Sequence, residues 1–440
     1  MSGGQAQCFA WPQQQRASEM PKTELGQEIR LTLDSRIVII GAGIAGVKCA
    51  LGLRQHGHVG AIILLNEEAY TPYDRPPLSK AVLTGDADGD AIALVASGEL
   101  NEAQIELRNG ARCVGIDRVA RTVSYGEETI GYDRLILATG SVPRELPGLE
   151  PGKPAVHYLR TLDDALRLRR DLQVAQCVVI VGAGVIGLEA AAACADGARR
   201  VVVIDPARRV MERAASPPLS ALLESRHIAA GVELHLGSTI SEAVPEGEGW
   251  AISLSDGTQI RADLVIIGIG VLPRSELAVE TGLAVEPTGI VVDGNGRTSD
   301  PSIFAAGEVA FGFNGRLGRH DRQETWAHAL NHGEHVAAAI MGQRDNYAGV
   351  SAYWTDQYDL AIQVFGECTG TRDIQRGDGD SFLIYHLRDD KVAGVTSVNA
   401  ARDLRRAKKL VGERIADPAL LAEPRVDPIS LIVPALIEAE

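Results

Sequence analysis

No CxxC pair occurs in the 440 residues, and the six cysteines, at 8, 49, 113, 177, 194 and 368, are scattered. No spacing suggests a zinc site, and the cysteines read as free thiols in a reducing cytoplasm. No apolar run reaches the roughly 18 residues of a membrane span. The N-terminus, MSGGQAQCFAWPQQQRASEMPKTELGQEIR, lacks a basic n-region followed by an apolar core, so no secretory signal is expected. It is Gln-rich and is expected to be disordered to residue 34. Positive charge is also short: 43 Lys and Arg against 58 Asp and Glu leave a net charge of −15. Nucleic-acid binding is thereby disfavoured, and charged partners must meet local patches.

The chain is rich in glycine at particular places. RIVIIGAGIAGVKCALGLRQHG is an apolar run, then Gly41-x-Gly43-x-x-Gly46, then a helical pattern. Gly41 allows a tight turn, Gly43 lets a pyrophosphate approach the backbone, and Gly46 lets helix and strand pack closely. The helix N-terminus faces the phosphates with its partial positive charge. The next apolar run ends at Glu67, whose carboxylate can accept from a ribose; Glu68 is the alternative. The pattern recurs in CVVIVGAGVIGLEAAAACADGARRVVVID, with Gly182, Gly184 and Gly187, then Asp205 at the second strand end. Val185 and Ile186 open its helix. A coincidental tight turn, with Asp205 only a turn residue, is the weaker reading of this repeated order.

Two such units imply two dinucleotides, and other landmarks favour a flavin in the first. YDRLILATGSVPR carries Ala138, Thr139 and Gly140 where a strand runs into a turn. TSDPSIFAAGEVA ends a strand at Gly307-Glu308, suited to bring backbone and an acid to the ribityl and phosphate part of a flavin. ADLVIIGIGVLPR, with Gly268 and Gly270, reads as a parallel closing strand of the second unit. The first unit is then interrupted by the second and resumed after it.

Together with YDRPPLSK at 73–80, these segments resemble the FAD-dependent, NADH-using ferredoxin reductases of bacterial Rieske-type oxygenases and haem monooxygenases, a family that includes putidaredoxin and rubredoxin reductases. RTLDDALRLRRDL, VMERAASPPLSALLE, RQETWAHALNHGEHVAAAIMG and WTDQYDLAIQVFG extend the resemblance, which covers about residues 35–412. It implies an α/β fold of two Rossmann-like dinucleotide-binding domains, glutathione-reductase-like but without a redox disulfide, plus a C-terminal α+β domain. The expected boundaries are 35–155 and 283–350 for FAD, 156–282 for NAD, and 351–440 for the C-terminal domain. The resemblance also implies residue roles. Ala45 lies on the FAD phosphates, Glu67 near the adenosine ribose, and Cys113 at the adenine through its backbone. Arg75 and Lys80 sit by the flavin and its pyrophosphate. Arg160 and Glu308 contact FAD, Trp326 lies near the isoalloxazine ring, and Glu189 near the nicotinamide. The family usually has Asp where this chain has Glu308, so the longer side chain must fold back or the strand must shift. The plainer alternatives are a solvated Lys80 and a Trp326 that only packs the core.

Related two-dinucleotide enzymes place redox cysteines beside the flavin. Here that position reads Pro77-Leu78-Ser79-Lys80, with no thiol relay. The expected activity is hydride transfer from NADH to FAD, then single electrons to a [2Fe–2S] ferredoxin that feeds an oxygenase in aromatic hydrocarbon catabolism. Lys80, Glu189 and Trp326 are the expected catalytic residues, with no metal. The chain is expected to be cytoplasmic, away from membranes, and a monomer or homodimer. An NADH-driven reductase of monodehydroascorbate or a quinone is one alternative. An apoptosis-inducing-factor-like flavoprotein with a partner-binding role is another. Arg402, Arg405, Arg406, Lys408 and Lys409 form the candidate ferredoxin-docking patch, or else a solvated helix face.

Overall fold

The computed structural model describes residues 33–343, 345–370 and 372–433. The expected N-terminal disorder falls on residues outside these, up to 32. The described chain begins at Leu33, whose carbonyl accepts from Val59 and Gly60.

Two five-stranded sheets, each wholly parallel, carry the fold. The first runs Ile303–Ala305, Arg134–Leu137, Ile37–Ile40, Ile62–Leu65, Ile105–Arg108. The second runs Val232–Leu236, Arg200–Asp205, Cys177–Val181, Leu264–Ile267, Val156–Tyr158. The central strands IVII and IILL are buried along their whole length. Unbroken apolar runs of this kind are what a parallel sheet covered on both faces requires. Leu264–Ile267 is parallel, as read from the sequence, but Val156–Tyr158 lies outside it in the sheet.

The two units are built alike. Each unit inserts a three-stranded antiparallel meander before a later strand of its sheet, Cys113–Asp117 to Glu128–Gly131 ahead of Arg134–Leu137 in the first and Ile240–Glu246 to Gln259–Ala262 ahead of Leu264–Ile267 in the second. Beyond them, Ser141–Pro143 pairs antiparallel with Val271–Pro273. The pairing is reciprocal: Arg144 N donates to Gly270 O and Arg274 N to Gly140 O. Residues 303–305 return the chain to the first sheet after the second is complete.

The C-terminal sheet is antiparallel, in the order Ala352–Gln357, Leu360–Gly366, Lys391–Val398, Ser381–Arg388, Arg372–Asp378. Leu360, Ile362, Val364 and Ile384 join the core that holds the second fingerprint helix, Val185–Cys194. Leu383, Tyr385 and Val395 pack on the opposite face, against Leu404 and Ala407 of helix Ala401–Ala407. Among the described residues no helix is long and apolar enough to cross a membrane.

Candidate active site

The glycine turns are set by local sterics. Gly41 has φ +107°, and a Cβ on it would lie 2.3 Å from the Ala138 carbonyl oxygen. A Cβ on Gly46 would lie 1.9 Å from the Gly41 carbonyl oxygen. No larger residue fits, so strand and helix meet at van der Waals distance. Gly43 differs: nothing lies within 4 Å of where its Cβ would point. That open side, at the N-terminus of helix Ile44–Gln55, is a cradle of the shape a pyrophosphate needs. The second unit repeats this with Gly182 against Gly268, Gly187 against the Gly182 carbonyl, and an open Gly184. Behind the first turn, Ala45 is wedged against Gly307 and against Gly333 of helix Trp326–Ile340.

Charge gathers around the first cradle. Arg75 bonds Glu68 at 3.0 Å and the Arg160 carbonyl at 2.5 Å. Tyr73 donates to Glu68 at 2.5 Å. Arg160 pairs with Glu308, which also accepts from Ser141 at 2.7 Å. Gly140 lies over this pair. Burial alone would raise the Glu308 carboxyl, but Arg160, Ser141 and Arg75 outweigh it and hold it below the usual range. Glu308 therefore keeps its acid inside the cluster despite its extra methylene. Glu67 is gripped by Arg274 of the second unit and by Arg112 at 3.3 Å. The Arg274 hydrogen bond draws its carboxyl down against burial. Cys113 is half-buried, its thiol pushed up to about 11 by burial. Arg160 Nε, Arg322 Nη2 and Gln323 Oε1 are buried without a hydrogen-bond partner. The two open arginine donors, with an open acceptor on Gln323, beside an open glycine cradle fit a dinucleotide with its phosphates and flavin ring.

A second cluster forms where the two units and the C-terminal sheet meet. Glu189 is buried, accepting from Ser79 at 2.5 Å and from Thr355 at 2.7 Å. Lys80 lies 3.1 Å from it and 3.5 Å from Asp356. Burial raises the Glu189 carboxyl, with Lys80 and the two hydroxyls opposing. Lys80 also sits over the Trp354 ring, 5.9 Å from its centroid. Trp354 meets Trp326 edge-to-face at 5.4 Å, and Trp326 donates to Asp74 at 2.5 Å. Lys80, Glu189 and Trp326 thus belong to one cluster, tied by Ser79, Trp354, Thr355, Asp356 and Asp74. Sequence reasoning did not assign roles to these five. The alternation in YWTDQ was the available signal: Thr355 faces Glu189 while Trp354 and Asp356 face Lys80 from the other side.

In the second unit both Asp205 oxygens accept backbone N–H groups, Ala183 at 2.6 Å and Ala207 at 2.7 Å. The acid fixes the glycine turn and stands at the cradle rim. Arg209 turns inward onto Ala215 O and Ser220 Oγ, whereas Arg208 is exposed. Val185 is half-buried at the first turn of the helix, and Ile186 remains 43% exposed.

Arg402, Arg405, Arg406 and Lys409 are exposed, and Arg406 pairs with Asp427 at 2.7 Å. Lys408 lies over the Phe365 ring at 5.1 Å. In the antiparallel register Phe365 opposes Ala352 and Gln363 opposes Trp354. Opposed residues share a face, as do residues two apart. Phe365 and Trp354 therefore lie on the same face of the C-terminal sheet, on adjacent strands, and Lys408 covers that face at Phe365.

Residues 35–333 match the pyridine nucleotide-disulphide oxidoreductase family model, so the chain belongs to that family of oxidoreductases. Membership implies use of a flavin and NAD(H). Residues 352–431 match the reductase C-terminal family, which narrows the kinship. The chain is 38% identical over 397 residues to the ferredoxin–NAD(+) reductase component of the p-cumate 2,3-dioxygenase system of Pseudomonas putida, covering 89% of this chain and 97% of that one. It is 35% identical over 416 residues to putidaredoxin reductase of the same species, covering 92% and 98%. The solved covalent putidaredoxin reductase–putidaredoxin complex matches with a TM-score of 0.85 at 35% identity, covering 90% of this chain and 98% of that one.

Proposed function

We propose that the chain is an FAD-dependent NADH:ferredoxin oxidoreductase serving an oxygenase. The observation that carries this is the Lys80–Glu189–Trp354–Trp326 cluster, which joins both dinucleotide units to the C-terminal sheet and contains no cysteine. The similarity to ferredoxin–NAD(+) reductase components supports the same reading. FAD is assigned to 35–155 with 283–350, NADH to 156–282, and ferredoxin docking to the 351–440 part.

Bound FAD would supply the conversion of a two-electron donor into single electrons. The first glycine turn would hold its pyrophosphate, and the Arg75–Arg160–Glu308 cluster would orient it. Asp205 would select the ribose of NADH and repel a 2′-phosphate. Glu189 would shape the nicotinamide pocket, with Lys80 balancing negative charge beside the ring system. Trp326 and Trp354 would exclude water and form the wall through which electrons leave. Arg402, Arg405 and Lys409, exposed near Lys408 in the chain, would receive an acidic ferredoxin.

The test is steady-state NADH oxidation with a panel of [2Fe–2S] ferredoxins, a quinone and monodehydroascorbate. Ferredoxin reduction, followed by its absorbance change, should be the fastest. Fast turnover with a small oxidant and none with any ferredoxin would overturn the reading.

A further inference from the structure

Helix Trp326–Ile340 carries three histidines at positions 328, 332 and 335, all on one side. Their rings stack: His328 and His332 are 4.9 Å apart with planes 20° apart, and His332 and His335 are 6.4 Å apart with planes 11° apart. Tyr347 caps all three, at 5.3, 4.9 and 5.4 Å. His328 Nδ1 meets the Tyr347 hydroxyl at 3.1 Å, and His335 Nε2 donates to Gly294 O at 2.8 Å. No step proposed above uses this ladder.

Its middle member reaches the flavin cradle. Gly307 N donates to His332 Nδ1 at 3.1 Å, in a buried setting. Gly307 has φ +77°, and a Cβ there would lie 2.7 Å from Ala45 Cβ. The turn is thus packed against Ala45 at the start of the fingerprint helix, and the imidazole nitrogen is the acceptor the structure gives its N–H. The next residue is Glu308. We infer that His332 is a positioning residue of the flavin site, whose unprotonated Nδ1 fixes the Gly307 turn and so aims Glu308 at Arg160. This rests on the flavin reading of the first cradle.

The environment keeps the ring neutral. Burial and the neighbouring His328 and His335 draw His332 well below its ordinary range. The acids around the ladder face its other members: Glu308 lies toward His328, Asp293 and Asp345 toward His335, and Asp321 toward Tyr347. Neutral His332 with an accepting Nδ1 carries its proton on Nε2. Asn offers an oxygen close to the Nδ1 position, whereas Leu fills the space and accepts nothing.

The test compares wild type, His332→Asn and His332→Leu for FAD affinity, read by flavin fluorescence on titration of the apoprotein. Leu should weaken binding on the order of tenfold to a hundredfold, the range expected for an orphaned buried N–H. Asn should restore most of the loss. Nitrogen NMR of the histidine-labelled apoprotein, with His332→Asn to assign the signal, should show an Nε2–H tautomer with an accepting Nδ1. That readout stands even where the Leu variant does not fold. A wild type that binds no flavin would sink both the flavin reading and this inference. A wild type that binds FAD while His332 shows an Nδ1–H, or while the Asn and Leu variants both match it, would overturn the inference alone.

Discussion

The two dinucleotide units share a backbone and differ at their rims. Gly41 and Gly182 have φ +107° and +110°, and the contacts of these glycines and of Gly46 and Gly187 agree to within 0.1 Å. Leu65 O and Ile204 O receive the two turn amides, so Asn66 stands where Asp205 stands. Asn66 bonds Tyr70 O and Asn109, away from its glycine turn, while the first unit's acids come one and two residues later. Those acids are locked by Arg274, Arg112 and Arg75. The second cradle is barer: Ile186 and Leu272 remain 43% and 39% exposed beside it, and Arg213 reaches Gly270 from an exposed position. A rim crowded with ion pairs suits a nucleotide that stays. An open rim suits one that exchanges every cycle.

Breaking each turn by the same steric insult should separate the roles. Gly46→Val and Gly187→Val each force a Cβ to 1.9 Å from a carbonyl oxygen. Each clash is of the kind that costs on the order of 4 kcal/mol or more unless the backbone moves. The Gly46 variant should lose FAD, seen as colourless protein. The Gly187 variant should remain yellow and lose NADH oxidation. Yellow protein from both, with unchanged turnover, would remove the distinction between the units.

The cluster between the units gives the next effect. Lys80→Met leaves Glu189 buried without its cation, which is expected to cost about 3–5 kcal/mol when the carboxylate is charged. Glu189 is already raised by burial, and losing Lys80 raises it further. A carboxyl raised in the folded state favours folding below its unfolded value and loses that advantage as pH rises through the folded value. The Lys80→Met variant should therefore approach wild-type stability near pH 5 and fall behind toward pH 8. Adding Glu189→Gln should recover most of the loss at pH 8. Denaturant midpoints for the wild type, the Lys80→Met variant and the double variant at both pH values check this, and a pH-independent deficit would count against it.

How much of this was legible beforehand follows from which forces are local. The glycine turns are fixed by φ and by contacts within one strand–helix unit, so their spacing revealed them. Two parallel sheets followed from the repeated strand–helix order. Thr355, which donates to Glu189, and Asp356, which pairs with Lys80, were hidden because they lie 166 and 167 residues beyond Glu189 in the chain. They arrive only because a separate antiparallel sheet docks its edge strand on helix Val185–Cys194. The ion pair of Glu67 with Arg274 was hidden for the same reason: it spans the two units. The histidine spacing in AHALNHGEH was visible as one helical side. Its contact with Gly307 depended on how that helix crosses Ala45.

Asp205 gives a smaller effect than either disruption. Asp205→Ala removes the proposed ribose acceptor together with the carboxylate that receives Ala183 N–H and Ala207 N–H. A loss of about 1.5–3 kcal/mol for a charged hydrogen bond corresponds to roughly tenfold or more in kcat/KM for NADH. NADPH should suffer less, because the repelling charge goes too. Measured kcat/KM values for both coenzymes check this; an unchanged ratio would place the selectivity elsewhere.

The smallest effect is expected at the docking face, and the geometry ranks its residues. Arg406 spends much of its charge on Asp427 and Lys408 lies on Phe365, whereas Arg402, Arg405 and Lys409 face solvent without an ion pair among the described residues. The protein is acidic overall, so an acidic ferredoxin must be drawn by these local cations against the net charge. Arg405→Glu should therefore slow association more than Arg406→Glu. Single exposed charges act weakly, and screening shortens their reach to about 8 Å at physiological salt. The expected change is a severalfold rise in the KM for ferredoxin at low salt, shrinking as salt increases. NADH-dependent ferricyanide reduction needs no docking face and should not change. If Arg406→Glu does the greater harm, Asp427 does not neutralise it in solution. If neither variant changes the salt dependence, these cations do not guide the partner, and the exit wall must be reached from the dinucleotide units instead.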